Sequence, residues 1–323
     1  MLIVFSSVVA LFFCLAPAVA QPADMPRIGF MSPASSAGLA SRVEAFRTGL
    51  REFGYADGRN VTIEYRWADG KGERLSEFAL EFVHLKVAMI VSHGVEATLA
   101  ARKASSTVPI VCFACGDVIS TGLVASLSRP GGNITGLTII APEVSGKRLE
   151  LLKQIVPGLT RVAAVWNSSN PVSGPEVRET EVAARALGLQ LESWPVKGPD
   201  GLPAAFAAIQ EKRAGAVIVL SDAALFSQRR QISELASASR LPAISFSGEF
   251  AEAGVLMSYG PDLKAIALRA ASFVDRILKG AKPAELPVEQ PTKFELVINL
   301  RTAKALGIAI PQTVRLRADR VIE

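Results

Sequence analysis

Histidine and cysteine are scarce, with 2 His and 3 Cys among 323 residues. A zinc site draws three or four His, Cys or carboxylate ligands at short spacings, and His84, His93, Cys112 and Cys115 do not cluster in that way, so no metal centre is expected. Cys112 and Cys115 have the Cys-x-x-Cys form, but in VPIVCFACGD they end an apolar strand. A thioredoxin-like pair sits instead at a helix start, where the dipole lowers a thiol pKa. Redox work is therefore set aside, and the two stand either as a structural disulfide or as two buried thiols. Nucleotide fingerprints are missing as well. After the first strand IGFMSPASSAG offers only Gly29 and Gly38 where a dinucleotide site needs Gly-x-Gly-x-x-Gly, and no phosphate-binding Gly-x-x-x-x-Gly-Lys loop occurs. There is no Gly-x-Ser-x-Gly elbow, and neither His has a triad context. The reading is a non-enzyme without a cofactor. The 35 basic and 30 acidic residues, net +5, are spread along the chain without the basic block of a nucleic-acid footprint.

Long apolar runs are also lacking beyond the first twenty residues, where MLIVFSSVVALFFCLAPAVA has only Ser6, Ser7 and Pro17 outside the apolar set. Ending on Ala18, Val19 and Ala20, residues 1–20 read as a signal peptide cleaved before Gln21. The segment departs from the usual leader in carrying no charge before Asp24, and an uncleaved anchor is the alternative. Cys14 follows Phe13, too large for a lipoprotein cleavage site, and reads as ordinary leader. Every later apolar run is interrupted by charge well short of the roughly 18 residues of a membrane span. The expectation is an exported, periplasmic protein with no membrane insertion after leader removal.

What is present is a half-apolar composition, 50% hydrophobic and 20% charged, on a chain long enough for two lobes. RIGFM (27–31) leads to a helical pattern over 39–53, VTIEYRW to a helix near 73–85, VAMIVS to one near 95–104, then VPIVCF. A turn at RPGGN (129–133) and a short extended run break the series. It restarts at RVAAVWN, with helices near 175–187, 201–213 and 225–239 between LQLESWPV, GAVIVLS, LPAISF and GVLMSYG. A long helix over 262–279, a Pro-rich return, FELVINL and a short helix at 301–306 follow. Repeated strand and helix alternation predicts two doubly wound α/β lobes with parallel sheets. Crossings between lobes are placed near 136–141, 256–261 and 287–293.

In such sheets ligands bind beyond the carboxyl ends of the strands. The residues there are Ser32 and Ser36, His93 and Gly94, and Asp117 in the first unit, then Trp166, Asn167, Asn170, Asp222, Phe246 and Tyr259 in the second. Each Ser, Asn or Asp has a plainer use as a helix cap or turn former. Their joint placement is what points to a cleft. Helix N-termini favour an anionic group, a carboxylate such as Asp222 or Asp117 holds an ammonium, and together these suit an amino acid or similar zwitterion. Trp166, Phe246 and Tyr259 are placed either to stack on a ring or to fill the core.

Five blocks in order carry a family resemblance: REFGYADGRNVTIEYRWADGKGERL, STGLVASLSRPGGNITGLT, SGKRLELLKQIVPGLTRVAAVWN, GVLMSYGPDL and RILKGAKPAELPVEQPTKFELVINLRTAKALGI. Across residues 27 to 323 the chain resembles the tryptophan-receptor-like family of ABC transporter substrate-binding proteins. The resemblance implies a periplasmic-binding-protein type I fold, with lobe I at 25–138 plus 257–288 and lobe II at 139–256 plus 289–323. It also implies a small-molecule ligand, an ABC permease as partner and a monomeric state. One loop departs from the family pattern. Where relatives read Gly, then Thr or Ser, then Pro, this chain has His93, Gly94, Val95 and Glu96. A hydroxyl is lost there, His93 offers a donor, and Glu96 repels a ligand carboxylate unless it turns away. With that loop changed, the resemblance alone does not assign this chain the aromatic amino acids bound by some members. A sensing module for a membrane signalling partner is the rival function, whereas a repressor would need a DNA-binding helix-turn-helix where the leader stands.

Overall fold

The computed structural model describes residues 25–139, 142–170 and 173–323. The leader, its cleavage site and Cys14 lie outside them. Two separate sheets form. The first has the order β2-β1-β3-β4-β5 and is parallel throughout, built from β1 (Arg27–Ser32), β2 (Thr62–Trp67), β3 (Met89–His93), β4 (Ile110–Cys115) and β5 (Ile134–Thr138). Strands β3 and β5 are buried along their whole length, as expected where helices cover both faces of a parallel sheet.

The second sheet has the order β12-β11-β10-β9-β8-β6-β7. Its strands are β6 (Arg161–Asn167), β7 (Gln190–Val196), β8 (Ala216–Val219), β9 (Ala243–Ser245), β10 (Met257–Pro261), β11 (Phe294–Asn299) and β12 (Arg320–Ile322). Met257–Pro261, which the sequence reading groups with lobe I, is therefore corrected to the second sheet, because it pairs with β9 and β11. The β10–β11 pair is antiparallel, the exception to an otherwise parallel design. Topology supplies the reason. The chain leaves β10 at the cleft end, runs through the other lobe and returns at that same end, so β11 must run back the opposite way.

The connecting excursion is α10 (Leu263–Leu278), which packs on α1 (Ser36–Glu52), β4 and β5 of the first lobe. Asp262 caps it, its Oδ1 accepting the Lys264 and Ala265 amides. The helices approach closely because residue 49 is glycine: a Cβ there would lie 2.3 Å from the Leu268 carbonyl oxygen. The return passes beside β5, with the Thr138 amide donating to the Glu289 carbonyl and the Glu289 amide to the Gly136 carbonyl. Three further helices were not expected, α4 (Pro142–Ile155), the six-residue α9 (Gly248–Ala253) and the four-residue α12 (Gln312–Arg315), and the helix read over 225–239 is two, α7 (Ala223–Ser227) and α8 (Arg229–Ala238).

The lobes touch directly. The Ser35 amide donates to Ser227 Oγ at 3.1 Å and Arg229 Nη1 donates to the Gly38 carbonyl at 3.1 Å. One apolar cluster runs from Phe30 and Phe46 of the first lobe to Phe226 and Phe246 of the second. This is a closed arrangement, with a cavity between the strand ends.

Candidate functional site

The first-lobe wall begins with β4. Its register with β5 shifts between Cys112 and Cys115, and Ala114 within that bulge has φ +53°. A bulge re-aims side chains at the end of a strand, and here it brings Ala114, Gly116 and Asp117 to the cavity. The Cys112 and Cys115 sulfurs are joined across it as a disulfide, with Cα atoms 6.2 Å apart. Asp117 Oδ1 is occupied by the Ile119 and Ser120 amides, and the residue is exposed at the mouth.

Behind this wall lies Arg42 on α1, only 1% exposed. Its Nε donates to Glu249 Oε1 of α9 at 3.3 Å, its guanidinium lies 3.5 Å from the centre of the Phe226 ring, and Nη1 is 3.3 Å from His93 Nε2. Arginine only donates, so His93 Nε2 accepts. The proton is then on Nδ1, facing Ser32 Oγ at 3.0 Å. Burial, with Arg42 adding to it, holds the His93 pKa well below the ordinary histidine value, so the ring is neutral and both nitrogens are taken. His93 does not have the free donor that the sequence reading gave it. Burial pushes Glu249 upward, but the charge and hydrogen bond of Arg42, a backbone amide and Lys264 together outweigh it, and the carboxyl titrates below its usual range. Among the described residues Arg42 Nη2 has no hydrogen-bond partner, and Arg42 is one of the residues lining the cavity.

The second-lobe wall is built on Asp222, the cap of α7. Its Oδ1 accepts the Leu225 amide at 2.7 Å, and its Oδ2 accepts Asn167 Nδ2 at 3.1 Å and Asn170 Nδ2 at 2.9 Å. Next to it Glu176, on α5 (Ser173–Ala186), is held by the Ser221 amide and hydroxyl, by Ser145 Oγ and by Arg148 Nη1 at 3.3 Å. Burial raises the Glu176 pKa, and Arg148 pulls against it. Across the gap, on the first turn of α3 (Gly94–Ala104), stands Glu96. Burial first, and then the charge of Asp222, push its carboxyl up to about 8.

In this closed arrangement the cavity is narrow, with a volume of about 60 Å³. Of the residues read from the sequence, His93, Gly94, Asp117, Asn170, Asp222 and Phe246 line it. Ser32 sits one layer behind, against His93. Asn167 turns toward Asp222 and lines an adjoining groove between the lobes. Ser36 is the exposed first residue of α1. Trp166 donates from Nε1 to Ser193 Oγ and packs with the second-lobe core, as does Tyr259, whose ring stacks on Phe294. These last three lie outside the lining. Sequence reading missed Arg42 and Glu176, two charged residues buried by partners distant in the chain.

Known proteins share this architecture. The family model described as ABC transporter substrate binding protein matches residues 27–322. A tyrosine-binding protein of Clostridioides difficile is 25% identical over 294 residues, covering 91% of this chain and 83% of that protein. Two solved structures are each 26% identical and cover 92% of this chain and 99% of their own: an ABC domain from Streptococcus pneumonia in complex with L-Trp, with a TM-score of 0.86, and a conserved domain protein from Vibrio cholerae, with a TM-score of 0.87. Since the family match takes in both sheets and every wall of the cavity, the chain belongs to the ABC transporter substrate-binding proteins.

Proposed function

We propose that this protein captures an amino acid or related zwitterion between its lobes, outside the cytoplasm, and delivers it unchanged to an ABC permease. In this reading the leader directs export to the periplasm and is removed before Gln21, and the mature protein works as a monomer. One observation carries the ligand class: Arg42, whose Nη2 is buried without a partner among the described residues, and Asp222, which makes no ion pair among them, line the same cavity. A ligand carboxylate on the first and a ligand α-ammonium on the second would satisfy both. Pro33, Val95, Ile139, Phe246 and Leu263 supply the apolar wall. The tyrosine-binding relative and the L-Trp complex support the amino-acid class. The contribution of a charge-assisted hydrogen bond, about 1.5–3 kcal/mol, means that a few suffice for micromolar affinity, about −8 kcal/mol.

Isothermal titration of the purified protein with amino acids, diamines and organic acids tests this. Saturable one-to-one binding by at least one amino acid is expected. Heats that never saturate for any of them would remove the reading.

A further inference from the structure

The charges around the cavity do not balance. Arg42 is matched by Glu249 at 3.3 Å, and Arg148 by Glu176 at 3.3 Å. Asp222 and Glu96 remain, facing one another from the two lobes, with Asp117 at the mouth. Their situations differ. Asp222 has three donors on its two oxygens, leaving one of its roughly four acceptor positions. Glu96 has no hydrogen bond and no cation beside it among the described residues. A zwitterion adds no net charge, so it would answer Asp222 and Arg42 and leave Glu96, which also borders the adjoining groove, without a cation of its own. An unpaired carboxylate in such a place is costly.

Resting on the zwitterion reading above, we propose that the ligand is a cationic amino acid, carrying a second ammonium or guanidinium beyond its α-amine. The carboxylate takes Arg42 Nη2, the α-ammonium takes the remaining position on Asp222, and the second cation takes Glu96. Two independent features of one cavity support this: the unmatched acid pair, and the buried Arg42 Nη2 that calls for an anionic group in the same ligand. Glu96 belongs to lobe I and Asp222 to lobe II. A dicationic ligand therefore replaces a repulsion across the cleft with an attraction, and favours closure. The raised Glu96 pKa fits this picture, since in the empty cavity a proton relieves the repulsion that the ligand would otherwise relieve.

Matched pairs isolate the second charge. Calorimetric titration at pH 8 and low salt should give arginine at least tenfold tighter binding than citrulline, and lysine at least tenfold tighter than norleucine. Glu96→Gln removes the acid from a side chain that holds nothing else in place. It should bring each pair to within about threefold while leaving citrulline and norleucine affinities nearly unchanged. Neutral members that bind as tightly as their charged partners overturn the proposal while the zwitterion reading stands. So does a Glu96→Gln protein that loses equal affinity for both members of each pair. If no amino acid of any charge gives saturable heat, both readings fall together.

Discussion

Glu96 makes proton release a direct measure of where the ligand amine sits. The empty protein holds this carboxyl up to about 8, one unit above neutral pH, so at pH 7 about nine-tenths of molecules carry the proton and at pH 9 about one-tenth. A ligand cation beside Glu96 favours the carboxylate. Binding at pH 7 should therefore release about 0.9 proton, falling to about 0.5 at pH 8. Affinity should rise by up to about tenfold per pH unit below 8 and level off above it.

The assay is titration at one pH in phosphate and in Tris, whose ionisation enthalpies differ, so that the slope of observed heat against buffer enthalpy counts protons. His93 does not contribute, because burial and Arg42 keep it neutral throughout this range. Glu176 is separated by the Glu96→Gln protein, which should bind without proton release. The stability of the unliganded protein moves the other way. A carboxyl raised in the folded state contributes stability that is fully present below its unfolded value near 4.5 and is lost as pH rises through about 8. Saturating ligand should flatten that loss. No proton release at pH 7, or equal release by wild type and Glu96→Gln, would refute the placement.

Two further substitutions test the frame around the cavity. Arg42→Met should weaken carboxylate-bearing ligands by about 10- to 100-fold, the equivalent of one charge-assisted hydrogen bond, while the corresponding amino-acid amides lose far less; titration of both series checks it. Gly260→Ala should lower the thermal midpoint by several degrees, because a Cβ there would come within 1.9 Å of the Phe246 carbonyl oxygen, and backbone must move to admit it.

The two-lobed alternation was legible because buried parallel strands are short apolar runs, as in MIVSH and AVIV. Helix α9 was not: GEFAEA spans six residues, too short for a 3.6-residue period to show. Helix α4 was missed because SGKRLELLKQI mixes charged and apolar residues. Lobe membership of β10 is decided by pairing with β11, about forty residues onward, which no local pattern records. In the site, Asp222 was visible as a polar residue ending a strand and starting a helix. Trp166 and Tyr259 shared that address, but the core claimed their rings. Arg42, in LASRVEAFRTGL, looks like any solvated helix position. It is buried by Glu249, 207 residues away, and by Phe226.

That long-range burial ties ligand and closure to one side chain. A guanidinium has a face and several N–H edges. In Arg42 the face meets Phe226 and the Nε edge meets Glu249, both from lobe II, while Nη1 meets His93 from its own lobe. In the proposed capture cycle the first two contacts would go as the lobes part and the third would remain, so that His93 and Ser32 would hold the guanidinium in place. A ligand carboxylate would then meet a group already oriented, and closure would add Glu249 and Phe226 around it. A ligand shifts a two-state equilibrium only by its differential affinity for the two states. In the proposed complex the difference would have a physical source: the Arg42 contact would be shielded from water, and the acid pair bridged, only with the lobes together.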